Sequence, residues 1–337
     1  MRIGFFIVAI AFLAACDHSQ PQLNRSTPGT PSRSARNAEC VRCHAEAART
    51  WTGSLHQRSW TDADLASVRE PNPFCRSCHA PEADPLTEPS AEAASMGVAC
   101  VTCHAPKGRD LPGDAVLASA EAKPRGPSPH AVVRDPAFAT SQACAGCHEF
   151  DSQRQPGFMM QTTLTEHAGS ALAGESCQSC HMPSTDPGRR SHGFAASRDP
   201  DMLRSAVSVV AARPEAEVVT LTLSLGRVGH TFPTGDPFRR LQLELDAVTP
   251  EGLVPLERRP LRRELETRRV GFFEEAHERA DTRIGGRDFE PVQRFELGDV
   301  HATVVQWRVV YERLDVTFGR DTPHVFGRIV LYQGTLP

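Results

Sequence analysis

The pattern Cys-x-x-Cys-His occurs five times in this chain and takes up ten of its eleven cysteines, and no other feature constrains the fold as strongly. The five copies are Cys40, Cys43 and His44; Cys75, Cys78 and His79; Cys100, Cys103 and His104; Cys144, Cys147 and His148; and Cys177, Cys180 and His181. With histidine at 14 of 337 positions, five chance placements directly after a cysteine pair have a probability on the order of 10⁻⁷. The repetition therefore reflects a chemical requirement.

That requirement is the covalent attachment of haem. Two thiols three residues apart can add to the two vinyl groups of one haem, while the imidazole of the next residue binds its iron. Structural zinc sites and disulfide-bonded domains also use Cys-x-x-Cys, but neither needs a histidine directly afterwards. The sequence therefore predicts five c-type haems, each attached through two cysteines, with the histidine of each copy as the proximal iron ligand.

The eleventh cysteine, Cys16, follows an apolar run at residues 3–15 that is too short to span a bilayer and is typical of a signal peptide. The ending Leu-Ala-Ala-Cys resembles a bacterial lipobox, which implies that Cys16 becomes the lipid-modified first residue of the mature chain. The alternative is an ordinary cleaved signal with an unrelated cysteine after it. We expect an exported protein, lipid-anchored on the periplasmic side of a bacterial membrane.

The mature sequence divides into three regions. Residues 16–36 are rich in polar residues and proline and predict a flexible tether, which excludes His18 as a ligand. Residues 37–202 contain the five motifs between Pro- and Gly-rich joints, so we expect short helices and loops around the haems. Residues 203–337 contain runs with period-two alternation and predict an antiparallel β-sandwich. The expected fold is thus α + β, with a multihaem domain before a β-rich domain. Residues 260–280 fit either a solvated helix or an irregular insertion.

The charge of the protein depends on its cofactors. The formal charge of −4 becomes −5 once Arg2 leaves with the signal peptide. Five haems add about ten propionate charges, offset by about five ferric charges, so the oxidised protein carries roughly −10. We expect redox partners, both donor and acceptor, with basic docking surfaces, and no nucleic acid. Arginine outnumbers lysine 35 to 2, which suits propionate pairing but is also what a GC-rich genome produces.

Histidines outside the motifs are candidates for the second axial ligand of each iron. His56 is twelve residues after His44, and if residues 45–55 are helical the two rings are about 18 Å apart. His56 would therefore bind a different haem. His192 follows His181 through a joint that contains proline and glycine, so it can turn back to its own haem or reach a neighbour.

Three more histidines are candidates for the same role. His130 lies in a Pro-flanked loop before the fourth motif, and His167 lies in a predicted helix at residues 162–173 before the fifth. His230, at the end of a predicted strand, is either a turn residue or a ligand that the β region supplies. As a ligand it would complete a set of five. We interpret three others as surface residues of the β region: His277, His301 and His324.

These residues resemble those of multihaem cytochromes related to tetrahaem cytochrome c-554 and, more distantly, hydroxylamine oxidoreductase. The similar segments are residues 40–56, 97–106, 177–183, 191–194, 230–235 and 281–284. The resemblance covers nearly the whole mature chain and implies closely packed haems, mostly with two histidine ligands, and distal roles for His56 and His192. Relatives often have Glu-Trp where this chain has Glu166-His167, which leaves open whether His167 replaces an aromatic residue or binds iron.

Two classes of function are consistent with the sequence. A carrier passes electrons through packed haems, and two histidines per iron lower their potentials relative to His/Met ligation. An oxidoreductase acting on a small nitrogen or sulfur compound needs one haem with an open position. No motif supplies the lysine ligand of pentahaem nitrite reductases. The tyrosines Tyr311 and Tyr332 are far in sequence from the motifs, so neither is an obvious candidate for the tyrosine that hydroxylamine oxidoreductases attach to their catalytic haem. We therefore favour the carrier. A third class, a haem sensor, would need only one haem.

Overall fold

The computed structural model describes residues 31–62, 65, 72–120, 122, 126–153, 155–271, 273–297, 304–315 and 323–337. The predicted signal peptide, Cys16, His18 and His301 lie outside the described residues. The predicted tether lies outside them up to residue 30, and a helix begins at Arg33, within the segment expected to be flexible. From Arg33 to Pro337 the chain forms one compact unit.

Each Cys-x-x-Cys-His copy forms a helical turn, and its spacing explains why. Positions i, i+3 and i+4 of an α-helix lie on the same face, so the two thiols and the imidazole point in a common direction. In the third copy the helix Cys100–His104 consists of the motif alone. It ends directly after the histidine, because Ala105 leaves the helical conformation at φ −142° and ψ 60°.

The region of the motifs is built from short elements, as the sequence predicts. The helices are α1 (Arg33–Cys43), α2 (Ala45–Trp51), α3 (Pro73–His79), α4 (Ala91–Met96), α5 (Cys100–His104), α6 (Gln142–His148), α7 (Thr163–Ala168), α8 (Cys177–His181) and α9 (Pro200–Ser205), with a 3₁₀ turn at Pro136–Ala139. Three strand pairs lie between them: parallel β1 (Val116–Ala118) and β2 (Val132–Arg134), antiparallel β3 (Glu149–Ser152) and β4 (Gln155–Thr162), and antiparallel β5 (Ser184–Asp186) and β6 (Arg189–Arg190).

The remaining chain forms two antiparallel sheets and a separate two-stranded hairpin, and this confirms the predicted α + β fold. The strands are β7 (Val207–Glu215), β8 (Val218–Leu225), β9 (Arg239–Thr249), β10 (Gly252–Leu261), β11 (Arg263–Val270), β12 (Phe273–Asp281), β13 (Val292–Glu296), β14 (Val305–Leu314) and β15 (Val325–Leu336). One sheet has the order β10-β9-β14-β15 and the other β13-β8-β7. Their inward side chains, such as Leu221, Leu243, Phe295 and Val309, are fully buried in one hydrophobic core.

Residues 260–280 form neither a helix nor an irregular insertion. They continue β10 into a separate hairpin, in which β11 pairs with β12 in antiparallel register. Its cross-strand partners are charged, for example Arg268 opposite Glu275, and such pairs stabilise a ribbon whose outer part is exposed. This segment therefore lacks the alternation of apolar and polar residues that predicts a half-buried strand.

The outer face of the four-stranded sheet contains buried ion pairs. Glu244, Asp246 and Glu312 are 5%, 1% and 5% exposed. Arg308 binds both Glu244 and Asp246, and Arg240 binds Glu312 at 2.8 Å. Removing one partner of a buried pair leaves an uncompensated charge, so loss of a single member of this network should strongly destabilise the sheet.

The two regions are joined by specific hydrogen bonds. The Gln155 side chain donates to the carbonyl of Ala276 and accepts from its N–H, both at 2.8 Å. Arg263 donates to the carbonyls of Met159 and Met160 at 2.7 and 3.0 Å. The sheets are thus held against the region that contains the motifs. Within the described ranges, no helix has the length and apolar character to cross a membrane.

Candidate multihaem site

All five motifs line one continuous cavity of about 3370 Å³. Sites for a single small ligand usually measure about 300–1,000 Å³, so this space suits several large groups. The β region closes one side of it with Phe232, Tyr311 and Leu314. Arginines contribute to its polar lining, among them Arg36, Arg42, Arg109, Arg190, Arg227 and Arg313.

Four of the motif histidines face a second histidine ring across this cavity. The pairs and their ring-centroid distances are His44 and His130 at 6.3 Å, His148 and His56 at 6.2 Å, His104 and His192 at 6.3 Å, and His181 and His230 at 6.4 Å. Each pair joins segments that are distant in sequence. His56 faces His148 and not His44, and His192 faces His104 and not His181.

These distances fit two imidazoles bound to one iron from opposite sides. With metal–nitrogen bonds of about 2 Å and about 1.1 Å from each nitrogen to its ring centre, the centroids would be roughly 6.3 Å apart. The angle between the rings is free, because each ring can rotate about its metal–nitrogen bond. The observed angles of 9° to 79° are therefore all compatible with ligation.

In four of the eight paired rings, and in His79, a backbone carbonyl lies within 3.0 Å of Nδ1 and leaves Nε2 as the nitrogen available to a metal. A ligating histidine usually donates its other N–H to a carbonyl or carboxylate, which fixes its tautomer. The Nδ1 partners are the carbonyls of Ser59 for His79, Leu117 for His104, Ala195 for His181, Arg190 for His192 and Thr231 for His230, at 2.7–3.0 Å. His56 and His148 differ: the buried Nδ1 of His56 has no partner within the described part of the chain, and Nδ1 of His148 contacts the side-chain amide nitrogen of Gln161 at 3.0 Å.

Burial keeps several of these rings neutral. Burial lowers the pKa of His56 to about 4, and nearby His148 adds to the shift. Burial also lowers the pKa of His148 to about 4, with the Arg239 guanidinium as the second cause. Neutral imidazole is the form that binds a metal, so both rings are in the ligating form at neutral pH.

The motifs themselves are arranged in close pairs. Thiols of different motifs lie close enough to shift each other's pKa: Cys100 lowers the pKa of Cys40 to about 6, Cys147 lowers that of Cys78 to about 6, and Cys144 lowers that of Cys177 to about 5. Side chains fix two of these pairs, because Asn37 accepts from the Cys100 N–H at 3.0 Å and Ser141 accepts from the Cys177 N–H at 3.1 Å. The first motif thus adjoins the third, and the fourth adjoins both the second and the fifth.

Phe194 links the remaining neighbours, the third and fourth motifs. The centroid of its ring lies 4.0 Å from that of His56 and 5.9 Å from that of His192, and both contacts are edge to face. Its φ of 48° is unusual for a bulky residue, and strain of this kind concentrates at functional positions. The sequence contains Phe194 in the segment Ser-His-Gly-Phe, but nothing in that segment indicates that its ring would lie between two histidines.

His79 and His167 stand apart from these pairs. Within the described ranges, no second histidine ring faces His79 at the distance seen in the four pairs. His167 is buried, and its Nδ1 and Nε2 contact the carbonyl oxygens of Gly229 and Glu175 at 2.9 and 2.8 Å. Because both nitrogens face carbonyls, neither presents a lone pair to the cavity. The structure therefore does not bring His167 to a motif histidine as a second ligand.

Comparison with known proteins identifies a similar sequence family and a similar fold. Residues 39–105 match the family model described as cytochrome c554 and c-prime. The chain is a multihaem c-type cytochrome. Its fold is similar to the crystal structure of a penta-heme cytochrome c552 from Thermochromatium tepidum, with a TM-score of 0.70, 22% sequence identity, and coverage of 91% of this chain and 100% of that chain. No curated protein is significantly similar in sequence. The predicted haem c cofactors are thereby confirmed.

The cytochrome also has an ionic group in the cavity that sequence reasoning did not find. Arg239 donates to Asp236 at 2.8 Å and hydrogen-bonds to Tyr311. Burial alone would lower the pKa of Arg239, but the Asp236 charge and Tyr311 outweigh it and raise the pKa, so the guanidinium stays charged. Tyr311 is distant from the motifs in sequence, yet the sheet that contains it forms the cavity wall.

Gly97 fixes the backbone at His56. Val98 donates to the His56 carbonyl at 2.8 Å, and Gly97 itself has a φ of 51°. A Cβ at Gly97 would lie 2.4 Å from the carbonyl oxygens of both His56 and Gln57. We expect Gly97→Ala to displace His56 and to reduce the low-spin haem signal in the optical and electron paramagnetic resonance spectra. The positive φ alone should lower the free energy of unfolding by about 1–2 kcal/mol.

Gly113→Ala is the matched control for this substitution. Gly113 has a similar φ of 55°, but no atom would lie within 4 Å of its Cβ. It should therefore lose stability from backbone strain and keep its low-spin haems. Equal spectra and equal stability for the two variants would show that the contacts of Gly97 do not hold His56 in place.

Proposed function

We propose that this cytochrome is an electron-transfer protein in which five haems, one at each motif, exchange electrons with one another. The observation that carries the proposal is the close approach of attachment thiols from different motifs, Cys40 to Cys100, Cys78 to Cys147 and Cys144 to Cys177. Haems attached at such neighbouring points would be close to one another. When bound, the haems supply one-electron chemistry at iron. The chain supplies their spacing, their ligands and a water-poor surrounding.

The four histidine pairs support His130, His56, His192 and His230 as distal ligands. Two histidines on an iron leave no position for a substrate, which suits a carrier. The same reasoning makes the second motif different, because His79 lacks such a partner within the described ranges. A second candidate function follows from this one observation. The haem at His79 would be five-coordinate and would bind or convert a small nitrogen or sulfur compound.

Spin state separates the two functions. We expect electron paramagnetic resonance and optical spectra of the oxidised protein, with haem quantified, to contain four low-spin ferric haems and one high-spin haem, since His79 is the one motif histidine that no imidazole of the described residues faces. Added imidazole should bind at about one site per chain and convert the high-spin signal to a low-spin signal. His192→Ala is the control, because it should create a second high-spin haem. Five low-spin haems before any addition would rule out the open site and leave the carrier alone.

We also propose that the protein is anchored by lipid on the periplasmic side of a bacterial membrane, through Cys16. The apolar run before this residue and its Leu-Ala-Ala-Cys ending support the proposal. Two or more acyl chains give stable anchoring. Cys16→Ser should move the haem-loaded protein from the membrane fraction to the soluble fraction. A wild-type protein found in the soluble fraction, without a lipid mass increment, would contradict the anchor.

The partners we propose are redox proteins with basic docking surfaces. The support is the acidic balance of the haem-loaded chain, roughly −10 when oxidised. Attraction between opposite charges is screened beyond about 8 Å at physiological salt. The bimolecular rate of reduction by a basic electron donor should therefore fall as ionic strength rises. A rate that stays constant or rises with salt would overturn this part of the proposal.

A further inference from the structure

His230 comes from a long connection, residues 226–238, between β8 and β9. Loops of this length are mobile unless other contacts fix them. Its ring nevertheless lies parallel to that of His181, at an interplanar angle of 9° and 6.4 Å between centroids. The His230 contact to the carbonyl of Thr231 is internal to the loop and cannot fix its position. The position must come from the surrounding residues.

Helix α7 contacts this loop on both sides of His230 through two consecutive residues. Nδ1 of His167 contacts the Gly229 carbonyl at 2.9 Å, directly before His230. The Thr234 hydroxyl donates to Oε2 of Glu166 at 2.6 Å. A Cβ at Gly229 would lie 3.0 Å from Nδ1 of His167, so the two segments are in close contact.

Arg283, in the β region, holds the middle of the loop and also binds α7. It donates to the Pro233 carbonyl at 3.1 Å and to Oε1 of Glu166 at 2.9 Å. It also makes two hydrogen bonds to Asp281, at 2.8 and 2.7 Å. Burial alone would lower the pKa of Arg283, but Asp281 and Glu166 raise it, so the guanidinium is charged. The next residue, Ile284, exchanges backbone hydrogen bonds with Phe232 at 2.9 and 3.0 Å.

We propose that Glu166, His167 and Arg283 are positioning residues that form a clamp, and that this clamp sets the axial coordination of the haem at His181 by holding His230. The proposal rests on the proposed ligation by His230. It gives the Glu166-His167 pair a role without iron binding, and it makes the coordination of this haem depend on how the β region packs against α7. Loosening the clamp would let His230 leave the iron while the haem stays covalently attached.

The test is to measure the spin state of variants that keep all five haems. His230→Ala provides the reference signal for loss of the ligand, a new high-spin haem. Glu166→Gln and His167→Leu remove contacts of the clamp and should give the same new signal in part, with a raised reduction potential at that haem in a spectroelectrochemical titration. Asp246→Asn is the matched control. It also neutralises a buried carboxylate that binds arginine, but on the outer face of the sheet, and it should leave every haem unchanged in spin.

Each outcome decides between the proposals. A new high-spin signal in the clamp variants but not in Asp246→Asn supports the clamp. Unchanged spectra in the clamp variants, together with a new signal in His230→Ala, would overturn the clamp and leave the ligation intact. No new signal in His230→Ala would overturn ligation by His230. A signal in Asp246→Asn as well would mean general loosening of the fold. If Glu166→Gln or His167→Leu does not accumulate, Thr234→Val removes one hydrogen bond of the clamp and should give a smaller signal.

Discussion

The arrangement of two imidazoles on opposite sides of one position is the constraint on which the rest of this molecule depends. Each of the four pairs joins parts of the chain that are far apart in sequence, from His44 with His130 to His181 with His230. Two such rings could hold one iron between them, which would crosslink these parts of the chain and couple folding to cofactor binding. The motif region needs such links, because its buried hydrophobic cluster consists, within the described ranges, of three residues, Met96, Ala99 and Val101, whereas the sheets share a large core.

Much of the fold could be predicted from local pattern. The spacing of the motifs dictates helical turns, and period-two alternation predicted the strands from β7 to β9 and the last two strands. The β11–β12 hairpin could not be predicted, because its charged cross-strand partners give no apolar alternation. Local sequence patterns also could not predict which histidines face each other. The 18 Å estimate indicated that His56 serves another haem, but which ring it faces depends on how distant helices pack. From sequence distance alone we expected Tyr311 to lie far from the haems, but the sheet brings it to the cavity wall.

The order of the motifs in space differs from their order in sequence. The first contacts the third, the third meets the fourth through Phe194, and the fourth contacts both the second and the fifth. The second motif is thus an end of this network, joined through Cys78 and Cys147. An iron with an open position interrupts electron flow least at such an end, because no other haem depends on it. The same place suits a terminal donor site or a small-molecule site, which is why both functions follow from one geometry.

The β region explains how a chain with such a small core in its first half holds five haems in fixed positions. The sandwich has a large hydrophobic core, and it supplies one wall of the cavity, the Arg239–Asp236 pair and the histidine that faces the fifth motif. A flexible peptide that offered the same imidazole would lose conformational entropy on every binding event. A loop already held by α7 and Arg283 has lost that entropy during folding. If His230 is the second ligand, as proposed, the fifth haem would gain it from a surface that is preformed, and its coordination would report on whether the two regions of the protein are docked.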